Sequence, residues 1–290
     1  MMTPTPFRCG TIAILGRPNV GKSTLLNTLL TEKVAIVTPK PQTTRHRIVG
    51  IVSGDGYQAI FIDTPGVHRF KRRLNKAMVE NALSALGDCD MTVIVVDASD
   101  AFDEFSGEFG AATLIRRAHE QEKPVVVAIN KIDCLADKKQ LLPLMERWSK
   151  FSPAIRAVVP ISATHEDGTR ELLTEIVANL PEGPPLYPED ELTDQTERDL
   201  CAEMIRESCL LCLHQEVPYA VAVTLEHFSD RNAKRTLHAT IWVERDSQKA
   251  IVIGKHGDMI RRIGQMSRTQ MTERFGVETQ LFLEVRVKPD

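Results

Sequence analysis

The sequence lacks a long hydrophobic run. Within its 290 residues, no stretch approaches the roughly 20 consecutive apolar residues that a helix needs to cross a bilayer. Its start, MMTPTPFRCG, also lacks the apolar core of a secretory signal peptide. We therefore expect a cytoplasmic chain without a transmembrane segment.

Cysteine and net charge are low as well. Six cysteines are scattered along the chain, which suits reduced thiols better than a disulfide framework. Only Cys209 and Cys212 form a CxxC pair, and no second Cys/His pair at zinc-finger spacing accompanies them, so we interpret both as apolar residues of a helix. The net charge of −3 gives no general basic field, and a nucleic-acid partner would have to be bound by a local patch.

The first part of the chain has the pattern of an α/β domain. Residues 10–180 alternate short β-branched runs with longer polar-faced segments, which predicts strands buried on both faces of a helix-covered sheet. The turn SGDG at residues 53–56 indicates a hairpin, and hence one antiparallel edge strand. The expected fold of residues 1–180 is therefore α/β with a mostly parallel sheet.

The second part has a different order. Four prolines within LPEGPPLYPEDE oppose both helix and strand, so residues 181–191 are interpreted as a linker. Beyond it, the succession helix, two strands, GKHG, helix and strand predicts an α+β domain over residues 192–290.

The run GRPNVGKS is the strongest chemical signal. It fits the pattern GxxxxGK[ST] and lies between an apolar strand and a helical segment. Such a loop surrounds phosphates with backbone N–H groups, and the helix N-terminus favours an anion. We predict that Lys22 neutralises the β/γ-phosphate oxygens and that Ser23 binds Mg²⁺. The predicted nucleotide-binding residues here are Gly16, Arg17, Pro18, Asn19, Val20, Gly21, Lys22, Ser23 and Thr24.

A second motif, DTPG, follows the apolar strand QAIFI. A carboxylate at a strand end can hold Mg²⁺, and a glycine amide can sense the γ-phosphate. Taken alone, a four-residue acidic loop is as often a simple turn. The nucleotide-binding residues assigned to this segment are Asp63, Thr64, Pro65, Gly66 and the following Val67.

Two further loops carry residues that can bind the base of the nucleotide. NKID ends a strand, and its Asp133 can accept hydrogen bonds from the N1–H and N2 amine of guanine, whereas adenine would leave this carboxylate unpaired. The loop SAT supplies a backbone N–H near Ala163 that can meet the guanine O6. GTP is therefore predicted over ATP. The assigned residues are Asn130, Lys131, Asp133, Ser162 and Ala163.

The order of these motifs resembles the GTPase superfamily, and PQTTRHRIVG supplies its switch element. In that family a switch threonine closes on Mg²⁺ and the γ-phosphate; here Thr44 is the first choice and Thr43 the alternative. The resemblance implies a Mg²⁺ site on Ser23, Thr44 and Asp63. The residues implied to act in hydrolysis are Lys22, Thr44, Asp63 and Gly66.

Two positions bear on how hydrolysis would proceed. Val67 stands where Ras-like members carry a glutamine that orients the attacking water, so hydrolysis must depend on other groups. Asn19 matches an asparagine that accompanies K⁺ binding in related proteins, and we expect K⁺ as a possible further cofactor. The alternative is a loop asparagine that bonds its own backbone.

The second domain carries a GxxG loop, GKHG, followed at once by a helix with basic residues. The element order is that of a type II KH domain, and KH domains clamp about four nucleotides with such a loop. The alternatives are a plain helix-joining turn and a solvated, charged helix face. The predicted RNA-binding residues are Ile253, Gly254, Lys255, His256, Gly257, Arg261 and Arg262.

Together, PQTTRHRIVG, DTPGVH, EVPYAVAV and VIGKHG make nearly the whole chain resemble the Era-like GTPase family. The resemblance implies a bacterial GTPase that uses GTP, GDP and Mg²⁺, binds 16S ribosomal RNA near its 3′ end and assists 30S subunit biogenesis, with some peripheral membrane association. We expect a monomer in which the γ-phosphate orders the segments of Thr44 and Asp63 and so biases RNA binding. The alternative is an RNA-binding scaffold in which GTP is a structural ligand.

Overall fold

The computed structural model describes residues 6–38, 40, 47–63, 86–99, 110–231 and 234–288. It divides into two compact units, the first made of Met1–Ala35 and Thr44–Asp194 and the second of Ile36–Thr43 and Gln195–Asp290. A short piece from the N-terminal half of the chain therefore belongs to the second unit. The domain boundaries expected from the sequence stay a prediction.

The first unit is built on a six-stranded sheet in the order β2-β3-β1-β4-β5-β6. Its elements are β1 (Arg8–Leu15), α1 (Lys22–Leu30), β2 (Ile48–Gly54), β3 (Tyr57–Asp63), β4 (Met91–Asp97), α2 (Ala111–Glu120), β5 (Val125–Asn130), α3 (Leu141–Ser149), β6 (Ile155–Pro160) and α4 (Thr169–Ala178). Strand β2 runs antiparallel to β3, and the other neighbouring strands are parallel. The predicted mostly parallel sheet with one antiparallel edge strand is confirmed.

Both faces of this sheet are buried, as the continuous apolar runs predict. Ile12 and Ile14 of β1 belong to one hydrophobic cluster, while Ala13 and Leu15 belong to another. Successive strand residues point to opposite faces, so the two clusters lie on opposite sides of the sheet. The parallel strands consequently end at one edge, where ligands of such folds bind.

The proline-rich stretch after α4 is bound to the first unit. The side chain of Gln58 is almost fully buried, accepts hydrogen bonds from the N–H groups of Leu186 and Tyr187 at 2.8 and 2.9 Å, and donates to the Tyr187 carbonyl at 2.9 Å. Farther along, the Ile51 N–H donates to the Leu192 carbonyl at 2.9 Å. This stretch therefore pairs with β2 and β3 through polar contacts that its proline content does not suggest.

The second unit contains a three-stranded sheet in the order β7-β8-β9. Its elements are α5 (Glu197–Cys212), β7 (Ala222–Arg231), β8 (Lys234–Val243), α6 (Asp246–Ile253), α7 (Asp258–Phe275) and β9 (Glu278–Val287). Strands β7 and β8 are antiparallel, and β9 is parallel to β8. Helix α5 begins at a capping box in which Thr196 and Asp199 satisfy each other's backbone N–H groups. The predicted α+β architecture is confirmed.

The CxxC pair lies in the core of the second unit. Cys209 and Cys212 are both buried on α5, and burial raises the pKa of the Cys209 thiol to about 12. Both side chains pack as small apolar groups in this core.

Within the described ranges, no helix is long and apolar enough to cross a membrane.

Candidate functional site

The loop between β1 and α1 needs glycine at both of its ends. Gly16 has φ 151° and Gly21 has φ 99°. A Cβ on Gly16 would lie 2.4 Å from the Val95 carbonyl oxygen, and one on Gly21 would lie 2.3 Å from Asn130 Nδ2. No side chain caps the N-terminus of α1, which begins at Lys22. The loop therefore presents backbone amides and a helix N-terminus, the arrangement that binds phosphate.

Lys22 and Ser23 occupy the positions that the motif assigns to them. The buried Lys22 side chain donates from Nζ to the Arg17 carbonyl at 3.0 Å, across the loop. Ser23 Oγ donates to Asp63 Oδ2 at 2.7 Å, although the two residues are 40 positions apart. The structure therefore brings together the hydroxyl and the carboxylate that were predicted to hold Mg²⁺.

The chemistry of this pair fits Mg²⁺. Asp63 ends β3 and is fully buried, and a buried carboxylate is costly unless positive charge or hydrogen-bond donors compensate it. A carboxylate and a hydroxyl are hard oxygen ligands of the kind Mg²⁺ prefers, and the phosphate-binding loop adjoins them. Ser23 and Asp63 are therefore the described residues that would hold the ion.

Asn130 is a bridge between loops. Its Nδ2 donates to the Val20 carbonyl at 2.7 Å, and its Oδ1 accepts a hydrogen bond from the Ala163 N–H at 2.9 Å. The residue is buried at the end of β5. Asn130 thus fixes the phosphate loop and the SAT loop to the same strand end, a positioning role that the sequence motif alone does not reveal.

Asp133 is prepared as a hydrogen-bond acceptor. Ser162 Oγ donates to Asp133 Oδ1 at 2.6 Å, and this bond is the largest cause of the lowered pKa of that carboxyl. His165, which the sequence analysis did not select, lies with Nδ1 3.0 Å from Ser162 Oγ and 3.8 Å from Asp133 Oδ2. An ionised, oriented carboxylate is the group that pairs with the N1–H and N2 amine of guanine.

Asp97 is a second residue that the sequence analysis missed. It ends β4, and its Oδ2 lies 2.6 Å from Lys131 Nζ, while Ser99 donates to its Oδ1 from the backbone and the hydroxyl at 3.0 and 2.7 Å. Burial raises the pKa of Asp97, but the hydrogen bonds from Lys131 and Ser99 outweigh burial and leave it lowered. Its place at the carboxyl end of a parallel strand was the available signal. Asp97 holds Lys131, whose backbone has φ 64°.

Pro18, Asn19 and Thr24 complete the described residues that were predicted for the phosphate site; Pro18 and Asn19 lie in the loop, and Thr24 lies in the first turn of α1. Asn19 lies in the phosphate loop with φ 61°, a left-handed conformation that asparagine tolerates, and this geometry suits both readings of the residue. The remaining predicted residues of the nucleotide site lie outside the described part of the chain; they are Thr44, its alternative Thr43, Thr64, Pro65, Gly66 and Val67.

The GxxG loop joins α6 to α7 in the second unit. Gly254 has φ 74°, and a Cβ there would lie 2.7 Å from Met259 Cβ and 2.8 Å from Met259 N. Gly257 has φ 78°, and Lys255 and His256 between the two glycines are exposed. The loop therefore combines close backbone packing with two exposed polar side chains beside a helix N-terminus, which suits contact with a sugar-phosphate backbone.

The flanking residues divide into two kinds. Arg261 and Arg262 are exposed on the first turns of α7, and Arg261 forms a 2.7 Å ion pair with Asp258 on the same helix. Ile253, by contrast, is half-buried and packs against the core of the second unit. The basic side chains can therefore reach a ligand, while Ile253 mainly supports the loop.

Comparison with known proteins gives two family matches. Residues 11–131 match the model of a 50S ribosome-binding GTPase family, and residues 216–290 match the KH domain model. A GTPase Era of Geotalea daltonii is 46% identical over 288 residues, which cover 99% of this chain and 94% of that protein. A GTPase Era of Xylella fastidiosa is 41% identical over 293 residues, covering 100% and 95%.

Two solved structures are similar over nearly the full length. One is Era in complex with MgGDPNP and nucleotides 1506–1542 of 16S ribosomal RNA, with a TM-score of 0.89, 37% identity, and coverage of 98% of this chain and 95% of the other. The other is an Aquifex aeolicus Era bound to GDP·AlF4⁻, with a TM-score of 0.88 and the same identity and coverage.

Proposed function

The chain belongs to the Era family of GTPases, and from this premise we propose that it is a nucleotide-controlled switch that binds 16S ribosomal RNA near its 3′ end and assists 30S subunit biogenesis. It hydrolyses GTP to GDP and phosphate with Mg²⁺. The proposal is supported above all by one arrangement. Ser23 and Asp63 meet beside the phosphate loop, while Asp133 and Ser162 form a guanine acceptor at the same sheet edge.

Hydrolysis is assigned to residues around the phosphate loop. Lys22 and the loop amides would bind the β- and γ-phosphates, Ser23 and Asp63 would hold the metal with Thr44 as the third side chain, and the Gly66 amide would contact the γ-phosphate. When bound, Mg²⁺ neutralises negative charge on the transferred phosphoryl group. Valine at position 67 has no polar atom to orient water, so hydrolysis proceeds without a glutamine there.

Turnover distinguishes this proposal from the scaffold alternative. The full chain should release many equivalents of phosphate per site from GTP, and Lys22→Ala should lower the rate about 100-fold or more because a preorganised charge on the phosphates is lost. A wild-type chain that binds GTP but completes no second turnover would favour the scaffold. Equal rates in K⁺ and Na⁺ buffers would exclude a role for K⁺ at Asn19.

RNA binding is assigned to the GxxG loop and the first turns of α7. The chain is not basic overall, so the contact must be local, and Lys255, His256 and Arg262 supply exposed donors beside the Gly254 backbone. Lys255→Asp/His256→Asp should abolish crosslinks to a 3′ fragment of 16S RNA. The matched control, Lys138→Asp/Lys139→Asp, reverses two adjacent exposed charges in the first unit and should leave them unchanged.

Nucleotide control is the remaining part of the proposal. Ordering of the segments around Thr44 and Asp63 by γ-phosphate biases the affinity of the second unit for RNA. RNA affinities measured with GDP and with a non-hydrolysable GTP analogue should therefore differ, and equal affinities would contradict the switch.

We assign the chain to the cytoplasm as a monomer with peripheral membrane contact, to be checked by sedimentation and by flotation with anionic vesicles.

A further inference from the structure

His165 lies beside the base-recognition residues but belongs to none of the sequence motifs. It directly follows the SAT loop, and its Nδ1 lies 3.0 Å from Ser162 Oγ. Ser162 Oγ in turn donates to Asp133 Oδ1 at 2.6 Å. The three side chains therefore form a chain of hydrogen bonds that ends on the carboxylate assigned to the guanine base.

Two neighbouring strand ends bring these residues together. Asp133 follows β5 and Ser162 follows β6, and the parallel pairing of these strands places both loops at the same sheet edge. The Ile161 N–H donates to the Ile129 carbonyl at 2.7 Å, and the Ile132 N–H donates to the Ile161 carbonyl at 3.3 Å. The backbone thus fixes where the two loops meet, and the side chains determine how the carboxylate is turned.

The direction of the hydrogen bonds follows from the number of protons. A serine hydroxyl has one proton to donate and two lone pairs that accept. The 2.6 Å separation between Ser162 Oγ and Asp133 Oδ1 is that of a charge-assisted bond, so the hydroxyl proton points to the carboxylate. His165 Nδ1 must then be the donor in its bond to Ser162 Oγ. Both the imidazolium and the neutral Nδ1–H tautomer supply this proton.

The bond from His165 holds the Ser162 hydroxyl in one orientation. A hydroxyl whose oxygen has no fixed donor rotates to suit its surroundings. The Asp133 side chain is 33% exposed, and ordering such a side chain only when a ligand binds would reduce the affinity. The hydrogen bond from Ser162 is also the largest cause of the lowered pKa of Asp133, and the charge of protonated His165 acts in the same direction. A ligand therefore meets a carboxylate that is already ionised and oriented.

The shape of the loop is set by backbone contacts rather than by the imidazole ring. The His165 N–H donates to the Ser162 carbonyl at 3.1 Å, and Ser162 and Asp167 exchange two backbone hydrogen bonds of 2.9 and 3.2 Å. Gly168, with φ 71°, follows where a Cβ would lie 2.2 Å from the Pro160 carbonyl oxygen. The His165 side chain is 64% exposed. Truncation of the ring therefore removes a hydrogen-bond donor and little packing.

We propose that His165 is a positioning residue for guanine recognition: it donates to Ser162 Oγ, and through that hydroxyl it holds the Asp133 carboxylate toward the N1–H and N2 amine of the base. The proposal rests on the assignment of Asp133 to guanine made above. Because the carboxylate is oriented in advance, the N2 amine contributes more to binding. The distinction between guanine and hypoxanthine, which lacks that amine, is therefore sharper.

Equilibrium binding of fluorescent GDP and IDP to the full chain tests this role. IDP carries hypoxanthine, so the ratio of the two affinities isolates the contribution of the N2 amine. His165→Ala should lower the GDP affinity about fivefold and the GDP-to-IDP ratio about threefold. A loop that is only destabilised would bind both nucleotides more weakly at an unchanged ratio, which would overturn the proposal. His119→Ala, the matched control, removes an exposed histidine of α2 and should behave as the wild type.

Two variants of equal shape separate hydrogen-bond donation from packing. His165→Asn places an amide nitrogen where Nδ1 lies, because both atoms are bonded to Cγ, and should restore the ratio to within about twofold of the wild type. His165→Asp offers acceptors and a second negative charge near Asp133, so it should bind GDP more weakly than His165→Ala. Equal ratios in the Asn and Asp variants would show that donation is unimportant and would overturn the role of His165.

Asp133→Asn distinguishes failure of this proposal from failure of the assignment on which it rests. An unchanged GDP-to-IDP ratio in Asp133→Asn would refute guanine recognition by Asp133, and with it the role of His165. A lowered ratio in Asp133→Asn together with a wild-type ratio in His165→Ala would retain recognition by Asp133 and overturn the role of His165. The expected result is a lowered ratio in both variants and recovery in His165→Asn.

Discussion

Asp133→Asn is the perturbation that tests the base-recognition site most directly. In the wild type, Ser162 Oγ donates to Oδ1 of Asp133, and the weakly donating Cys134 thiol, 3.4 Å away, contacts Oδ2, which keeps acceptor capacity for a ligand. An asparagine there would keep its carbonyl oxygen toward Ser162, because only that atom accepts a hydrogen bond, and would place its amide nitrogen at the Oδ2 position. A hydrogen-bond donor of guanine that faces this position would then meet the asparagine amide nitrogen, which is itself a donor. Xanthine has a carbonyl in place of the 2-amino group and would find a partner.

The expected magnitude follows from the bonds lost. Two hydrogen bonds to a charged acceptor contribute about 1.5–3 kcal/mol each, or about 3–6 kcal/mol together. The Asp133 side chain is 33% exposed, so water compensates part of this loss and the lower end applies. GDP affinity should therefore fall about 100-fold, and the preference between GDP and XDP should reverse.

Equilibrium binding of fluorescent GDP and XDP to the full chain measures both quantities. Asp137→Asn is a matched control, because Asp137 is a nearby aspartate that caps a short helical turn through the Lys139 N–H. The control should bind GDP as the wild type does. If Asp133→Asn bound GDP within about threefold of the wild type, or showed no gain for XDP, guanine recognition by this carboxylate would be refuted.

Three further predictions concern the metal site, the RNA loop and the core of the second unit. Ser23→Ala removes the hydroxyl that donates to the buried aspartate at 2.7 Å, so the Mg²⁺ concentration that half-saturates hydrolysis should rise about tenfold in a metal titration. Gly254→Ala puts a methyl group within 2.8 Å of backbone, and RNA affinity in a filter-binding assay should fall about tenfold while GTP hydrolysis without RNA persists. Arg235→Met deletes a buried guanidinium bound to Asp230 at 2.7 Å and to Glu197, but both carboxylates are about half exposed and water solvates them once the arginine is gone, so amide exchange in β8 should report a loss of about 1 kcal/mol of unfolding free energy. Because the hydrogen bond from Arg235 lowers the pKa of Asp230, the part of this stabilisation that comes from the Arg235–Asp230 pair is complete above the ordinary carboxyl pKa of about 4 and is lost as pH falls through the lowered value, so the variant should lose that acid dependence.

Local patterns were sufficient for much of the fold. Near-continuous β-branched runs predicted strands covered on both faces, and the SGDG turn predicted the antiparallel edge strand, because each depends on the period and turn chemistry of a few neighbouring residues. The phosphate loop was also predicted from a local sequence pattern. Its glycines at 16 and 21 are required by contacts with Val95 and Asn130, but the pattern already fixes which positions must be glycine.

Contacts between residues that are distant in the sequence could not be predicted from local sequence patterns. The proline count around Tyr187 indicated a linker, yet Gln58 binds its backbone from 129 positions away. Asp97 belongs to none of the recognised sequence motifs, and only the parallel alignment of β4 with β5 brings it to Lys131. Sequence periodicity carries no information about such contacts, since it describes one element at a time.

The sequence by itself determined the chemistry of this protein: a phosphate loop, a guanine-reading carboxylate and a GxxG loop each depend on residue types at fixed local spacing. Only the tertiary structure decided how these parts are held, with Asn130 joining two loops and Glu207 holding the chain near Val37. The physical reason is that a buried polar group must find its partner in three dimensions. For Glu207 that partner is 170 residues away, beyond the reach of any local pattern.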